Sequence, residues 1–218
     1  MNGIAALMPK GLPDRQNERY KYMDLAFLGA EAYLPAIPQS ALCTKEDVAA
    51  LSFSLSNMPC VRIVLVNGFY ESAFSDLSEV PKGVIVMSLR QAMTQHADLV
   101  RHALSNSIDA EKYPFASMNT AAFQDGVFLY VPDKCDVTLP VHCLFVGAGE
   151  KPIFTNSRHV IVVGEESKLT LLNEYVSHAS ANYVANDVDI IQLGKGARLE
   201  LNKYQHENNF AYRFTHTF

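Results

Sequence analysis

Five carboxylates gather in one part of the C-terminal half: Glu165, Glu166, Glu174, Asp187 and Asp189. Sugar cleavage is the chemistry such a set would serve, because it needs two carboxyl groups converging on one bond, one as acid and the other as base or nucleophile. Their surroundings favour solvated corners and edges instead, since Glu165 and Glu166 follow Gly164 in a polar turn. His206 and His216, among Asn208, Asn209 and Tyr212, offer imidazoles for a metal, but at a spacing that fits no ligand motif. The cysteines Cys43, Cys60, Cys135 and Cys143 contain no closely spaced pair of the kind that announces structural zinc. They read as free, buried thiols packed as small hydrophobes. His142 and Cys143 are adjacent on an apolar run, and strand neighbours point to opposite faces, so the two cannot share a metal. No catalytic, cofactor-binding or metal residue is assigned.

Phosphate chemistry is excluded on similar grounds. "VVGEESKL" (Val162–Leu169) and "LGKGARL" (Leu193–Leu199) carry Gly and Lys but lack the GxxxxGK[ST] spacing that lets backbone amides cradle a phosphate. Gly there serves the backbone freedom of a corner. A formal charge of −5 over 218 residues argues against nucleic acid as a partner, which would call for a basic face. No run approaches the length of a membrane span, and "MNGIAALMPKGLPDR" lacks the basic start and long apolar stretch of a signal peptide. A cytoplasmic chain is expected.

The elements that would hold these residues repeat. "HVIVVGEESKLTLLNEY" (His159–Tyr175) and "VDIIQLGKGARLELNKY" (Val188–Tyr204) each give an apolar run, a Gly-containing polar corner and an alternating run, as "DGVFLYVPDKCDVTLPVHCLF" (Asp125–Phe145) does. Placing Pro132, Gly164 and Gly194 in register gives spacings of 32 and 30 residues, the period of a stacked solenoid. The fold expected is mainly β: a right-handed parallel β-helix preceded by a small helical or mixed α/β N-terminal domain, with the division at 1–114 and 115–218. A β-sandwich or jelly roll with echoing strands is the alternative.

In the first part, "NERYKYMDLAFL" (Asn17–Leu28) has the apolar spacing of an amphipathic helix, and "RQAMTQHADLVRHALSN" (Arg90–Asn106) reads as another. Thr44 is placed to cap "TKEDVAALSFS", with Asp47 in its first turn. "VRIVLVNGFY" and "GVIVMSL" read as buried strands. "FASMNTAAF" (Phe115–Phe123) is expected to form a short helix capping the open first coil.

Five segments then carry a resemblance that covers essentially the whole chain. They are "GLPDRQNERYKYMDL" (Gly11–Leu25), "NGFYESAFSDLSEVPKGVIVMSL" (Asn67–Leu89), "FASMNTAAFQDGVFLYVPDKCDVTLPVHCLF" (Phe115–Phe145), "RHVIVVGEESKLTLLNEY" (Arg158–Tyr175) and "ARLELNKYQHE" (Ala197–Glu207). In this order they resemble the SufD-type members of the SufBCD family of iron–sulfur cluster assembly proteins, with Tyr20 where the family more often has Trp. The resemblance implies a cytoplasmic scaffold subunit, not itself an enzyme, that works with SufB and the ATPase SufC. The iron–sulfur cluster then belongs to the complex and not to a site in this chain. It further implies that the chain stops inside the solenoid at roughly half the family's length, before the family's cluster-handling Cys and His residues. Such an end would leave Leu199, Leu201, Phe210, Tyr212, Phe214 and Phe218 without a coil above them, and self-association through that last coil is expected.

Overall fold

Apolar, β-branched runs broken by Gly-containing corners build two facing sheets in the computed structural model, which describes residues 12–13, 17–38, 42–52, 58–105 and 108–218. In chain order the elements are α1 (Phe27–Ala30), β1 (Leu34–Pro35), α2 (Lys45–Leu51), β2 (Val61–Val66), β3 (Phe69–Tyr70), β4 (Ile85–Ser88), α3 (Leu89–Gln95), α4 (Ala97–Ala103) and α5 (Pro114–Ala122). Seven strands complete the chain: β5 (Val127–Val131), β6 (Val141–Gly147), β7 (Ile153–Val163), β8 (Lys168–Ser177), β9 (Tyr183–Leu193), β10 (Arg198–His206) and β11 (Ala211–Thr217). The first sheet runs β11-β9-β7-β5-β4, with β1 added on β7, and the second runs β10-β8-β6-β2-β3. Strands alternate between the two sheets from β5 onward and pair in parallel with the strand one coil away. This is the expected β-solenoid, about three turns long, and no hairpin joins β5 to β6.

Corner equivalence follows from the ladders. Val131 pairs with Val163 and Val163 with Leu193, which puts Pro132, Gly164 and Gly194 at the next step of each coil. A Cβ on Gly164 would lie 2.5 Å from Asp133 N, and one on Gly194 2.6 Å from Glu165 N. Only glycine lets each corner sit directly on the one beneath. The two-residue difference in period is also local: Asp136 bridges Lys168, but Val141 already pairs with Leu171. The extra residues sit around Pro140, just before β6 begins, so no ladder position inside the strand is occupied by proline. Leu129, Ile161 and Ile191 form one column, and Val162 belongs to the neighbouring column of Tyr130 and Gln192.

Odd-numbered residues of β5, β7 and β9 face inward and meet β6, β8 and β10 in the main core of Val61, Ile63, Leu129, Val141, Cys143, Ile161, Leu171 and Tyr175. The first coil is closed by strands from the N-terminal part, with β2 lying parallel on β6 and β4 antiparallel on β5. The helix expected to close it forms as α5 but lies elsewhere, packed beside β7 and β9. The cause is polar as well as apolar. Buried Asn119 donates to Ser157 O at 2.7 Å and Asn186 O at 2.9 Å, while Phe115 packs with Phe154 and Val184.

Two helix expectations are corrected. Asn17–Leu28 is not a helix: turns bond Tyr20 N to Asn17 O and Met23 N to Tyr20 O, and only α1 is helical. Asp24 takes the N–H of Ala26 with its carboxylate, the local competition that disfavours a helix interior. Arg90–Asn106 is two helices, broken at His96 (φ −133°, ψ 43°), whose ring stacks near Phe128; Asn106 lies outside the described residues. The cap of α2 forms as read, since Thr44 Oγ1 accepts from Asp47 N at 3.1 Å and Asp47 accepts from Thr44 N at 2.8 Å. Phe53 and Ser54 lie outside the described residues, as does the N-terminal stretch up to Gly11. Among the described residues, no helix is long and apolar enough to cross a membrane.

Candidate functional site

The last coil concentrates the charge. β11 pairs with β9 from Ala211↔Tyr183 to Thr217↔Asp189, so Arg213, Thr215 and Thr217 share the inward phase of Tyr183, Asp187 and Asp189. Asp187 and Asp189 are buried, 2% and 1% exposed. Arg213 Nη1 binds Asp187 Oδ2, and its Nε and Nη2 fork onto Glu207 at 3.1 Å (Oε2) and 2.6 Å (Oε1). Tyr183 donates its hydroxyl to the same Glu207 carboxylate, Gln205 Nε2 donates to it at 2.6 Å, and the guanidinium lies 4.4 Å from the Tyr175 ring centroid. Asp189 is paired separately, with Lys203 Nζ at 2.9 Å and Thr217 Oγ1 at 3.0 Å. Below them His159 accepts from Val127 N at 3.1 Å and meets the edge of Phe145. Burial lowers its pKa below the ordinary value, which keeps the ring neutral.

Burial pushes the Glu207 carboxyl up, but the Arg213 charge and hydrogen bonds from Arg213, Tyr183 and Gln205 outweigh it, so the pKa lies below the usual carboxylate value. A group with a depressed folded-state pKa contributes stability above its unfolded value and loses it as pH falls through the folded one. The contribution should therefore be complete above about pH 4.5 and disappear below it. We expect thermal melts of wild type and Glu207→Gln to differ at pH 6–7 and to converge in acid. A constant difference down to pH 3 would show that the charge on Glu207 is not what matters.

The acidic set does not assemble into a catalytic pair. Glu165 and Glu166 are exposed at the corner, Glu174 faces away from the interior with His142, and Asp187 and Asp189 are engaged by cations. Three of the five are thus buried and not, as expected, solvated. His206 is exposed on β10, while His216 lies on the outer face of β11 within 3.4 Å of the Tyr20 hydroxyl, so they do not meet. All four cysteines are free; Cys43 and Cys143 are buried, but Cys60 and Cys135 are only half-buried. Among the described residues, no three His, Cys, Asp or Glu side chains are placed to hold a metal ion.

The aromatic residues of the last coil are partly covered by the chain itself, contrary to expectation. Tyr212 stacks on Phe27 at 3.8 Å, Phe214 on Phe115 at 4.2 Å, and Phe218 meets the edge of Tyr113 at 5.0 Å. Leu199 and Leu201 point inward against the main core. Phe210 is the most open of the six, at 61% exposed. The outer edges of β10 and β11 carry no strand among the described residues.

Residues 2–143 match the SufBD protein N-terminal region, and residues 145–218 match the SufBD core domain of the SUF system for FeS cluster assembly. The chain belongs to the SufBD family. It is 24% identical over 217 residues to the iron–sulfur cluster assembly SufBD family protein slr0076 of Synechocystis, covering 94% of this chain and 46% of the relative. To the iron–sulfur cluster assembly protein SufD of Escherichia coli it is 24% identical over 216 residues, covering 98% and 47%. To SufD of Bacillus subtilis it is 30% identical over 98 residues, covering 44% and 22%. The chain thus spans under half the length of these SufBD relatives.

Proposed function

We propose that this SufBD chain is a non-enzymatic scaffold subunit in iron–sulfur cluster assembly and transfer, acting in the cytoplasm with SufB and the ATPase SufC. The observation that carries the reading is the match of two consecutive SufBD regions across residues 2–143 and 145–218. The architecture supports it physically. Parallel ladders up to eleven residue pairs long, pinned at corners where glycine meets backbone, make a stiff body suited to holding partners in fixed geometry. The Gly-containing corners of Val162–Leu199 lack the GxxxxGK[ST] spacing of a phosphate loop, so nucleotide hydrolysis is assigned to SufC. Iron and sulfide are cargo of the complex in this reading, and the subunit's own contribution is placement. Co-expression of a tagged chain with SufB and SufC, followed by affinity capture and size exclusion, tests it. Co-elution at fixed stoichiometry is expected, and elution of the chain free of both would defeat the proposal.

A further inference from the structure

A second polar cluster lies outside the solenoid interior, where the start of β2 meets β6 and β8. Arg62 pairs with His142 across the β2–β6 ladder, and Cys60 is two residues earlier. Inward neighbours Val61, Val141 and Cys143 fill the core, so Arg62 and His142 take the outer face. His142 and Glu174 are both 0% exposed, with Nε2 2.8 Å from Glu174 Oε2, and Ser52 Oγ donates to the same oxygen at 3.0 Å. Arg62 Nε donates to His142 Nδ1 at 3.3 Å, and Arg62 Nη2 lies 3.9 Å from Cys60 Sγ. The imidazole lies near enough to the Cys60 thiol for the two groups to influence each other's titration. Asp76, bridged to Arg62 through the backbone, is a further charged neighbour. A sulfur beside a guanidinium and an imidazole, with a buried carboxylate behind the imidazole, has the arrangement that stabilises a thiolate.

We propose that Cys60 is a reactive thiol that exchanges with small disulfides, with Arg62 and His142 stabilising its thiolate and Glu174 acting as a positioning residue for His142. In the step, the thiol gives its proton to solvent, since His142 Nδ1 already accepts from Arg62 and Nε2 faces Glu174, and the thiolate left beside Arg62 attacks one sulfur of the disulfide RSSR. The S–S bond breaks, a Cys60–S–S–R bond forms, and RS⁻ leaves with the electron pair; the small disulfide is the oxidant. Directions of titration agree with the geometry. His142 and the Arg62 charge lower the Cys60 pKa against the opposing effect of burial. For His142, burial opposes the charge, but Cys60 and Glu174 prevail and raise its pKa. The other thiols differ: Cys43 also meets an imidazole, His178 Nε2 at 3.4 Å, but burial and the nearby Asp47 and Glu71 carboxylates push it up to about 11, and Cys143 is pushed up by full burial.

Cys135 supplies an internal control, because it is half-buried like Cys60 but, among the described residues, no imidazole or guanidinium is bonded to its sulfur. The folded chain is treated with glutathione disulfide, and separately with iodoacetamide, at pH 6 to 9, and each cysteine is followed by peptide mass spectrometry. At pH 7 Cys60 should react at least roughly tenfold faster than Cys135, with a rate that levels off below the ordinary thiol value of about 8.5. Arg62→Gln should slow Cys60 and move its profile towards that ordinary value. His142→Gln should do the same where circular dichroism shows the fold intact, and the wild-type profile decides the matter where it does not. Equal rates at Cys60 and Cys135, or a Cys60 profile rising through about 8.5, would overturn the proposal. The readout is independent of SufB and SufC, so it stands or falls separately from the scaffold reading.

Discussion

Replacing Arg213 with methionine is expected to destabilise the chain by about 3–5 kcal/mol, the cost of leaving buried carboxylates without their cation. The methylene stem is roughly kept, so the loss reports the guanidinium. Its removal strands Asp187 and Glu207 together, with side chains 2% and 4% exposed, and leaves the Tyr183 hydroxyl as one of few remaining donors to Glu207. It also removes the cation from the face of Tyr175, which stacks on Phe145 inside the core. Urea unfolding at pH 7 measures the loss. Adding Glu207→Gln to Arg213→Met should recover part of it, since two linked members of one network do not add. A loss under about 1 kcal/mol would place the pair with exposed ion pairs and show that water reaches this end of the coil.

Why that network escaped the sequence while the coils did not is a matter of range. Pro132, Gly164 and Gly194 announce themselves because each corner is a local event of a few residues, repeated at an interval set by the coil. Thr44 and Asp47 are three positions apart, and their cap is likewise local. Arg213 meets Asp187 26 positions earlier and Glu207 six positions earlier across a turn. Those distances acquire meaning only once the ladder fixes Tyr183 opposite Ala211. Asp187 and Asp189 accordingly read as solvated acids, because the cations that permit their burial lie in the next coil.

The Cys60 cluster was hidden for the same reason and one more. Cys60 and His142 are joined only by the β2–β6 register, and strand β2 belongs to a segment with no visible repeat. One correct inference already pointed there: the strand alternation that separates His142 from Cys143 forces His142 to the outer face. The partner on that face could not be named without the pairing of Arg62. Helix errors have a complementary origin. Of the apolar positions Tyr20, Met23, Phe27 and Leu28 that suggested a helix, Tyr20 and Leu28 are buried but Met23 is exposed, because the backbone between them is governed by Asp24 and by the surface of Phe115, Phe154 and Val184 on which it rests.

Gly126→Ala should abolish stable folding, because a Cβ at this position would lie 1.7 Å from Arg158 O and 2.6 Å from Arg158 C, a clash with backbone that no side-chain rotation relieves. Neither side of the contact can yield cheaply. Arg158 N donates to Asp125 O at 3.0 Å, and its side chain is held by Asn119 Oδ1 at 2.9 Å and Thr120 Oγ1 at 2.7 Å. On the other side, Asp125 accepts from Ser88 Oγ at 2.7 Å and from the N–H groups of Arg90 and Tyr70, each at 3.2 Å, tying β4, α3 and β3 to the start of the solenoid. Moving Gly126 by the distance a methyl group needs would release those bonds and the first rung of the β5–β7 ladder together. The expected cost exceeds about 4 kcal/mol, enough to cancel most of the stability of a typical domain. Gly29→Ala is the matched control, since nothing lies within 4 Å of a Cβ there and its helical setting tolerates alanine. Soluble yield and a thermal melt of the two variants beside wild type decide it. Gly29→Ala should melt with wild type, and a Gly126→Ala chain that did so as well would mean that β5 and β7 do not approach each other as closely as the Asp125–Ser157 bridge requires.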